Sequence, residues 1–179
     1  MILVSTGTNG AAFDRLLGAL GGARPGEEMI VQHGPSSVRP VGATCVAAMP
    51  FNEFRELAAQ ARVIVTHAGV GSTLVAMLAG HRPILVPRLA RFGEAVDDHQ
   101  LELAERLAAL GAATLVTDVA LLPAAIGEAA GASRRGAGFG SDLVQALADY
   151  VSEALDAPSP PSRPRSSGWL TKAIGATRN

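Results

Sequence analysis

Residues 62–80 read RVIVTHAGVGSTLVAMLAG, and the order of residue types in this stretch decides the architecture. Arg62 to Thr66 is a short β-branched run of the kind found in buried strands. His67-Ala68-Gly69-Val70-Gly71 follows as a small turn, and Ser72-Thr73 opens an apolar segment of helical length that stops at Gly80. A strand, a glycine turn and a helix start in that order make an anion-binding device. The glycines let the backbone approach a phosphate closely, while unpaired N–H groups and the helix dipole attract it.

The same alternation runs outward on both sides. Strands are expected at Ile2 to Ser5, Glu28 to Gln32, Ala43 to Ala47, Ile84 to Val86 and Ala113 to Val116. Helices are expected at Phe13 to Leu20, Asn52 to Ala61 with Asn52 as its cap, Ser72 to Ala79, Asp97 to Leu110, Leu121 to Ala130 and Ser141 to Leu155. Alternating strands and helices imply an α/β fold with a doubly wound parallel sheet. Residues 131–140, GASRRGAGFG, read as a flexible loop, and residues 1–156 as one domain. The Pro/Ser/Arg-rich tail at 157–179 cannot pack a core and is expected to be disordered.

Composition narrows the function. The chain is 48% hydrophobic with 4% aromatic residues, so Ala, Leu and Val build the core, as suits helices on a parallel sheet. The total charge is −1, but Arg163, Arg165, Lys172 and Arg178 follow the last acidic residue, Asp156, which leaves the first 156 residues at −5. That acidic body argues against nucleic acid as a ligand. The single cysteine, Cys45, excludes an internal disulfide and reads as an apolar filler. No signal peptide or membrane-length apolar run is visible, so the chain is expected to be soluble and cytoplasmic.

Ligands of doubly wound folds bind beyond the carboxyl ends of the strands. Three segments at that edge, TGTNG (6–10), QHGPSS (32–37) and HAGVGS (67–72), share Gly, Ser, Thr or His chemistry and are expected to line one crevice. The turn departs from the dinucleotide pattern G-x-G-x-x-G at Leu74, and Pro87-Arg88 stands where an acidic ribose ligand would end the next strand. A nicotinamide enzyme is therefore disfavoured, and no Walker-type P-loop occurs. Residues 92–107, FGEAVDDHQLELAERL, add carboxylates, His99 and Gln100 beside a second helix start, which together with the glycine turn suggests a nucleotide-sugar site. His67 suits a diphosphate or a sugar hydroxyl, or else only its own turn. Asp97 reads best as a helix cap, and Gln100 suits sugar hydroxyls. His67 and His99 lack the helical two-histidine spacing of a zinc site, so no metal and no cofactor are expected.

These segments resemble a known family. VSTGTNGAAFDRLL (4–17), VIVTHAGVGS (63–72) and PILVPRLARFGEAVDDHQLELAERL (83–107) are similar to the C-terminal, donor-binding domain of family 28 glycosyltransferases. The resemblance spans roughly residues 1–130 and is narrowest to the soluble subunits of two-component UDP-sugar transferases, of the dolichol-linked GlcNAc and the bacterial capsule and exopolysaccharide types. It implies one C-terminal-type half of a GT-B enzyme that transfers a hexose from a UDP-sugar to a lipid-linked acceptor, with inversion and without metal. By the same resemblance, Gly69, Gly71, Ser72 and Thr73 would hold the diphosphate. Thr8 and Asn9 would line the crevice, and Met49, Pro50 and Phe51 would lie near the uracil. Glu94, Asp98, His99 and Gln100 would face the ribose or hexose. Many relatives carry an acidic ribose ligand where this chain has Val75, which leaves Glu94 as a substitute.

The sequence opens at the first strand of the donor domain, so the acceptor site is expected on a membrane-anchored partner subunit, which would hold this chain peripherally at the membrane. The catalytic group stays open between His67, His99 and a base on that partner. A stand-alone nucleotide-sugar hydrolase or epimerase and a non-catalytic nucleotide-sugar-binding subunit are the competing functions.

Overall fold

The computed structural model describes residues 1–8, 10–22 and 26–129. Among them six strands form one sheet: β1 (Ile2–Ser5), β2 (Met29–Gln32), β3 (Thr44–Val46), β4 (Val63–Thr66), β5 (Ile84–Leu85) and β6 (Thr114–Leu115). All pairings are parallel and the order is β3-β2-β1-β4-β5-β6. The chain builds outward from β1 through β2 to β3, then returns beyond β1 to lay down β4. The order reverses between β1 and β4, and such a switch point opens a crevice at the carboxyl ends of the strands.

Helices cover both faces, as the strand alternation requires. Ile2, Val4, Val63 and Val65 point to one face, where α1 (Asp14–Ala19) and α5 (Leu122–Glu128) supply Leu16, Leu17, Leu122 and Ile126. Leu3 and Ile64 point to the other, under Phe54 and Ala58 of α2 (Phe51–Gln60) and Val75 and Ala76 of α3 (Val70–Leu78). Further along, α4 (His99–Ala109) packs Leu103, Ala104 and Leu107 with Leu85. Each fully buried leucine contributes about 2 kcal/mol of burial free energy, and together they hold the loops at the sheet edge.

Several element ends differ from the sequence reading. The third helix starts at Val70 rather than Ser72, because Gly69 is extended (φ −75°, ψ 135°) and accepts the first helical bond, from Thr73 N–H at 3.0 Å. Pro50, not Asn52, stands at the N-cap of α2, and no side chain caps that helix. The fourth helix begins at His99, with Asp98 at the N-cap position. The helix expected at 141–155, the loop at 131–140, the domain end at 156 and the tail at 157–179 lie outside the described residues. Among the described residues no helix is long and apolar enough to cross a membrane.

Candidate functional site

At the switch point a crevice of about 450 Å³ opens across the carboxyl ends of β1, β2 and β4. Ser5, Gly7 and Thr8 line it from β1, Gln32 from β2, and His67, Gly69, Gly71 and Ser72 from the segment after β4. Met49, Phe51, Phe54 and Val75 form an apolar wall. Phe51 is 65% exposed and stands at the mouth as an open ring. The polar end and the apolar wall match a ligand that is anionic at one end and flat and apolar at the other.

The anionic end is built by the start of α3. Since the first helical bond runs from Thr73 to Gly69, the N–H groups of Val70, Gly71 and Ser72 precede the hydrogen-bonded ladder. With the dipole of a nine-residue helix behind them, they have the electrostatics that attract an anion. A Cβ added at Gly71 would meet no atom within 4 Å, so this glycine leaves open space rather than relieving a clash. Ser72 Oγ accepts from Thr66 Oγ1 at 2.7 Å and donates to Gly69 O at 3.2 Å, which locks the turn.

The His67 ring sits between Gly7 and Gly69, and a Cβ at either glycine would run into it. Gly7 also has φ +78°, so its loop needs glycine twice over. Burial above all, then the nearby Arg88 guanidinium, pushes the imidazole down from 6.5 to about 4, against a backbone hydrogen bond at Ser5 that acts the other way. His67 is therefore neutral at pH 7. It meets a ligand as a hydrogen-bonding group, not as a cation, and is a weak base for proton abstraction.

The structure separates the remaining site residues expected from sequence. Thr73 is fully buried and its N–H is spent on Gly69, so its side chain faces the protein interior instead of a diphosphate. Glu94 is 5% exposed and makes a bidentate pair with Arg15, at 2.9 Å to Nε and 2.8 Å to Nη2, while also accepting from Leu89 N–H at 3.1 Å. It does not line the crevice and does not substitute for the acidic residue that Val75 lacks. Asp98 Oδ1 accepts from Ala90 N–H at 2.8 Å, and Gln100 Oε1 from Arg88 N–H at 3.1 Å. His99 is exposed, with its ring nitrogens 3.7 Å from Asp97 and 3.7 Å from Glu102. These three residues belong to the loop and helix start after β5, the strand beside β4, outside the crevice lining. Asp97 does accept from the first amide of α4, His99 N–H, at 3.3 Å. Asn9 lies outside the described residues.

Sequence reasoning missed Arg88, which it used only as evidence against a dinucleotide site. Arg88 is the largest fully buried side chain among the described residues. Its Nη2 donates to Thr6 O at 2.8 Å, and its Nη1 to Ala11 O at 2.9 Å, Ala12 O at 3.2 Å and Glu94 O at 3.3 Å. The guanidinium stacks on Phe13, 4.6 Å from the ring centroid. One buried cation thus pins both feet of the loop after β1 and joins it to the loop after β5. The only hint in the sequence is an arginine directly after an apolar strand, and its partners lie as far as 82 residues away.

Comparison with known proteins bears on the family and the fold. A family model described as "Glycosyltransferase family 28 C-terminal domain" matches residues 1–135. No curated protein matches the chain. Among solved structures, CalG4, the calicheamicin glycosyltransferase, is 22% identical with a TM-score of 0.58, covering 86% of this chain and 42% of its own. The glycotransferase of kitacinnamycin is 22% identical with a TM-score of 0.55, covering 85% of this chain and 38% of its own. The glycosyltransferase VinC, in complex with dTDP, is 16% identical with a TM-score of 0.52, covering 84% and 37%. At these identities the likeness is one of fold, and the chain spans about two-fifths of the length of the first structures it matches.

Proposed function

Because the chain belongs to the glycosyltransferase family 28 C-terminal domain family, we propose that it is the donor-binding part of a UDP-sugar-dependent hexosyltransferase. The observation that carries this reading is the row of unladdered amides at Val70, Gly71 and Ser72 opening into a crevice with an apolar wall. In this reading the diphosphate lies against those amides beside Gly7 and Thr8, and the uracil against Met49 and Phe51. The hexose extends toward the loop after β5, where Asp98, His99 and Gln100 contact its hydroxyls.

The acceptor hydroxyl attacks the anomeric carbon from the face opposite the diphosphate. Its C–O bond forms as the bond to UDP breaks, the hydroxyl proton passes to a base, and the configuration inverts. Charge that develops on the leaving phosphate is met by fixed N–H donors and the helix dipole, with no metal required. A neutral, half-buried His67 suits contact rather than base catalysis, so we assign the base to the acceptor side. That side is a membrane-anchored partner subunit presenting a lipid-linked saccharide at the cytoplasmic face, in bacterial polysaccharide synthesis.

The test is Gly71→Val. A Cβ there meets no atom within 4 Å, so the variant should fold as wild type. Losing even one charge-assisted hydrogen bond should weaken UDP binding by about tenfold or more. Calorimetry that finds unchanged UDP affinity in the folded variant sinks the reading.

A further inference from the structure

Three neighbouring strands end on a polar residue in one row of the sheet: Gln32 on β2, Ser5 on β1 and Thr66 on β4. Shared register places their side chains on one face, the face covered by α2 and α3. Thr66 is satisfied by Ser72. Ser5 Oγ accepts from Gly7 N–H at 3.2 Å and donates its one proton to Gln32 Oε1 at 2.8 Å. The Gln32 carboxamide thus stands with its oxygen toward Ser5 and its NH2 end away from it. The NH2 end keeps two donors, for which no acceptor is present among the described residues. Gln32 is 6% exposed and lines the crevice, so its carboxamide is reached from the ligand space. A ligand oxygen placed there would accept from donors that the protein itself leaves unused.

The position along the sheet edge narrows what that oxygen belongs to. Gln32 stands between the segment after β3, with Met49 and Phe51, and the segment after β1, with Gly7 and Thr8. It therefore lies between the apolar wall and the anion site. A nucleoside diphosphate stretched along the crevice would pass Gln32 with its nucleoside half. No carboxylate is among the lining residues to read that half from the other side of a hydrogen bond. We infer that Gln32 is a specificity-determining residue whose carboxamide NH2 donates to an acceptor oxygen on the nucleoside half of the donor. This inference rests on the nucleotide reading above.

The experiment is calorimetry with UDP, dUDP and inorganic pyrophosphate on wild type, Gln32→Ala and Gln32→Glu. Gln32→Glu keeps an oxygen for the Ser5 hydroxyl and removes the donors, so it carries the test if the alanine variant fails to fold. Both variants should bind UDP about fivefold or more weakly, as for one lost hydrogen bond. In Gln32→Ala, pyrophosphate affinity should stay within twofold of wild type. If the variants lower dUDP affinity equally, the oxygen is on the base or the 3′ position; if dUDP is insensitive, it is the 2′ oxygen. UDP affinity within twofold of wild type in both variants, or equal losses for UDP and pyrophosphate in Gln32→Ala, overturns the inference alone. A wild-type chain that binds none of the three ligands overturns the nucleotide reading and this inference with it.

Discussion

Arg88 acts on His67 through its charge, and so helps set what that imidazole can do. The guanidinium is held by four carbonyl oxygens, and its charge is felt by both the Glu94 carboxylate and the His67 ring. His67 loses basicity first to burial and second to that charge. We expect Arg88→Met to raise the His67 pKa from about 4, but not back to 6.5, because the burial remains. A titration of the ring carbon-bound protons by NMR checks this, and an unchanged or lower value refutes it. The same depression links stability to pH. Between about 4 and 6.5 the unfolded chain binds a proton at His67 that the folded chain does not. The stability is therefore fully present above pH 6.5 and is lost as pH falls toward 4, by about 3 kcal/mol. His67→Gln should lack this portion of the acid sensitivity, which denaturant titrations at pH 7 and pH 4.5 would reveal; equal slopes in both proteins would refute the linkage. Little of this is legible in sequence. Glu94 and Arg88 look like solvated loop charges until Arg15, 79 residues from Glu94, is brought beside them.

The element that carries the most function is α3, and its two ends obey different constraints. At its start, glycine and an extended Gly69 leave amides free for an anion. At its end, Gly80 takes φ +83°, and the N–H of His81 closes on Ala76 O at 3.0 Å, a glycine-dependent stop. Gly80→Ala should destabilise the fold by about 1 kcal/mol without changing UDP affinity; loss of binding in that variant would mean the helix end and the anion site are coupled. At the start of α4 two adjacent residues should separate by readout. Gln100→Ala strips the acceptor from Arg88 N–H, at a cost of about 1–3 kcal/mol, and should lower both the melting temperature and turnover. His99→Ala, on an exposed residue, should lower turnover about tenfold with the melting temperature unchanged, if it loses one transition-state hydrogen bond. Wild-type kinetics in His99→Ala would make it ordinary helix surface. The elements themselves were legible because strand alternation and helical spacing are local properties. Their ends moved by one or two residues where backbone geometry put Gly69 rather than a residue beside Ser72 at the start of α3, and Pro50 rather than the expected cap Asn52 at the start of α2.

At the scale of the whole molecule, the sheet order turns separate loops into one site. TGTNG, QHGPSS and HAGVGS are far apart in sequence, and each contributes residues to the crevice only because β2, β1 and β4 are neighbours. Alternating strands and helices implied a doubly wound sheet, but strand order is decided by long-range packing and is not written locally. The segment from 83 to 107 shows the boundary of such reading: its motif led to the right edge of the sheet, but not to the crevice itself. This fold supplies one wall of the proposed reaction space, and the matched structures extend well beyond the part it covers. Transfer needs an acceptor hydroxyl held in line with the anomeric carbon, and water kept away from it. Orientation of that kind is worth several kcal/mol of barrier. We therefore expect the chain by itself to bind UDP but to transfer sugar to a lipid-linked acceptor slowly. Adding a membrane-anchored acceptor-binding subunit should raise the rate about a hundredfold or more, while UDP affinity changes little, because the residues proposed to hold UDP all belong to this chain. Transfer assays with and without that subunit decide the matter, and rapid transfer by the purified chain alone would place the acceptor site on this polypeptide.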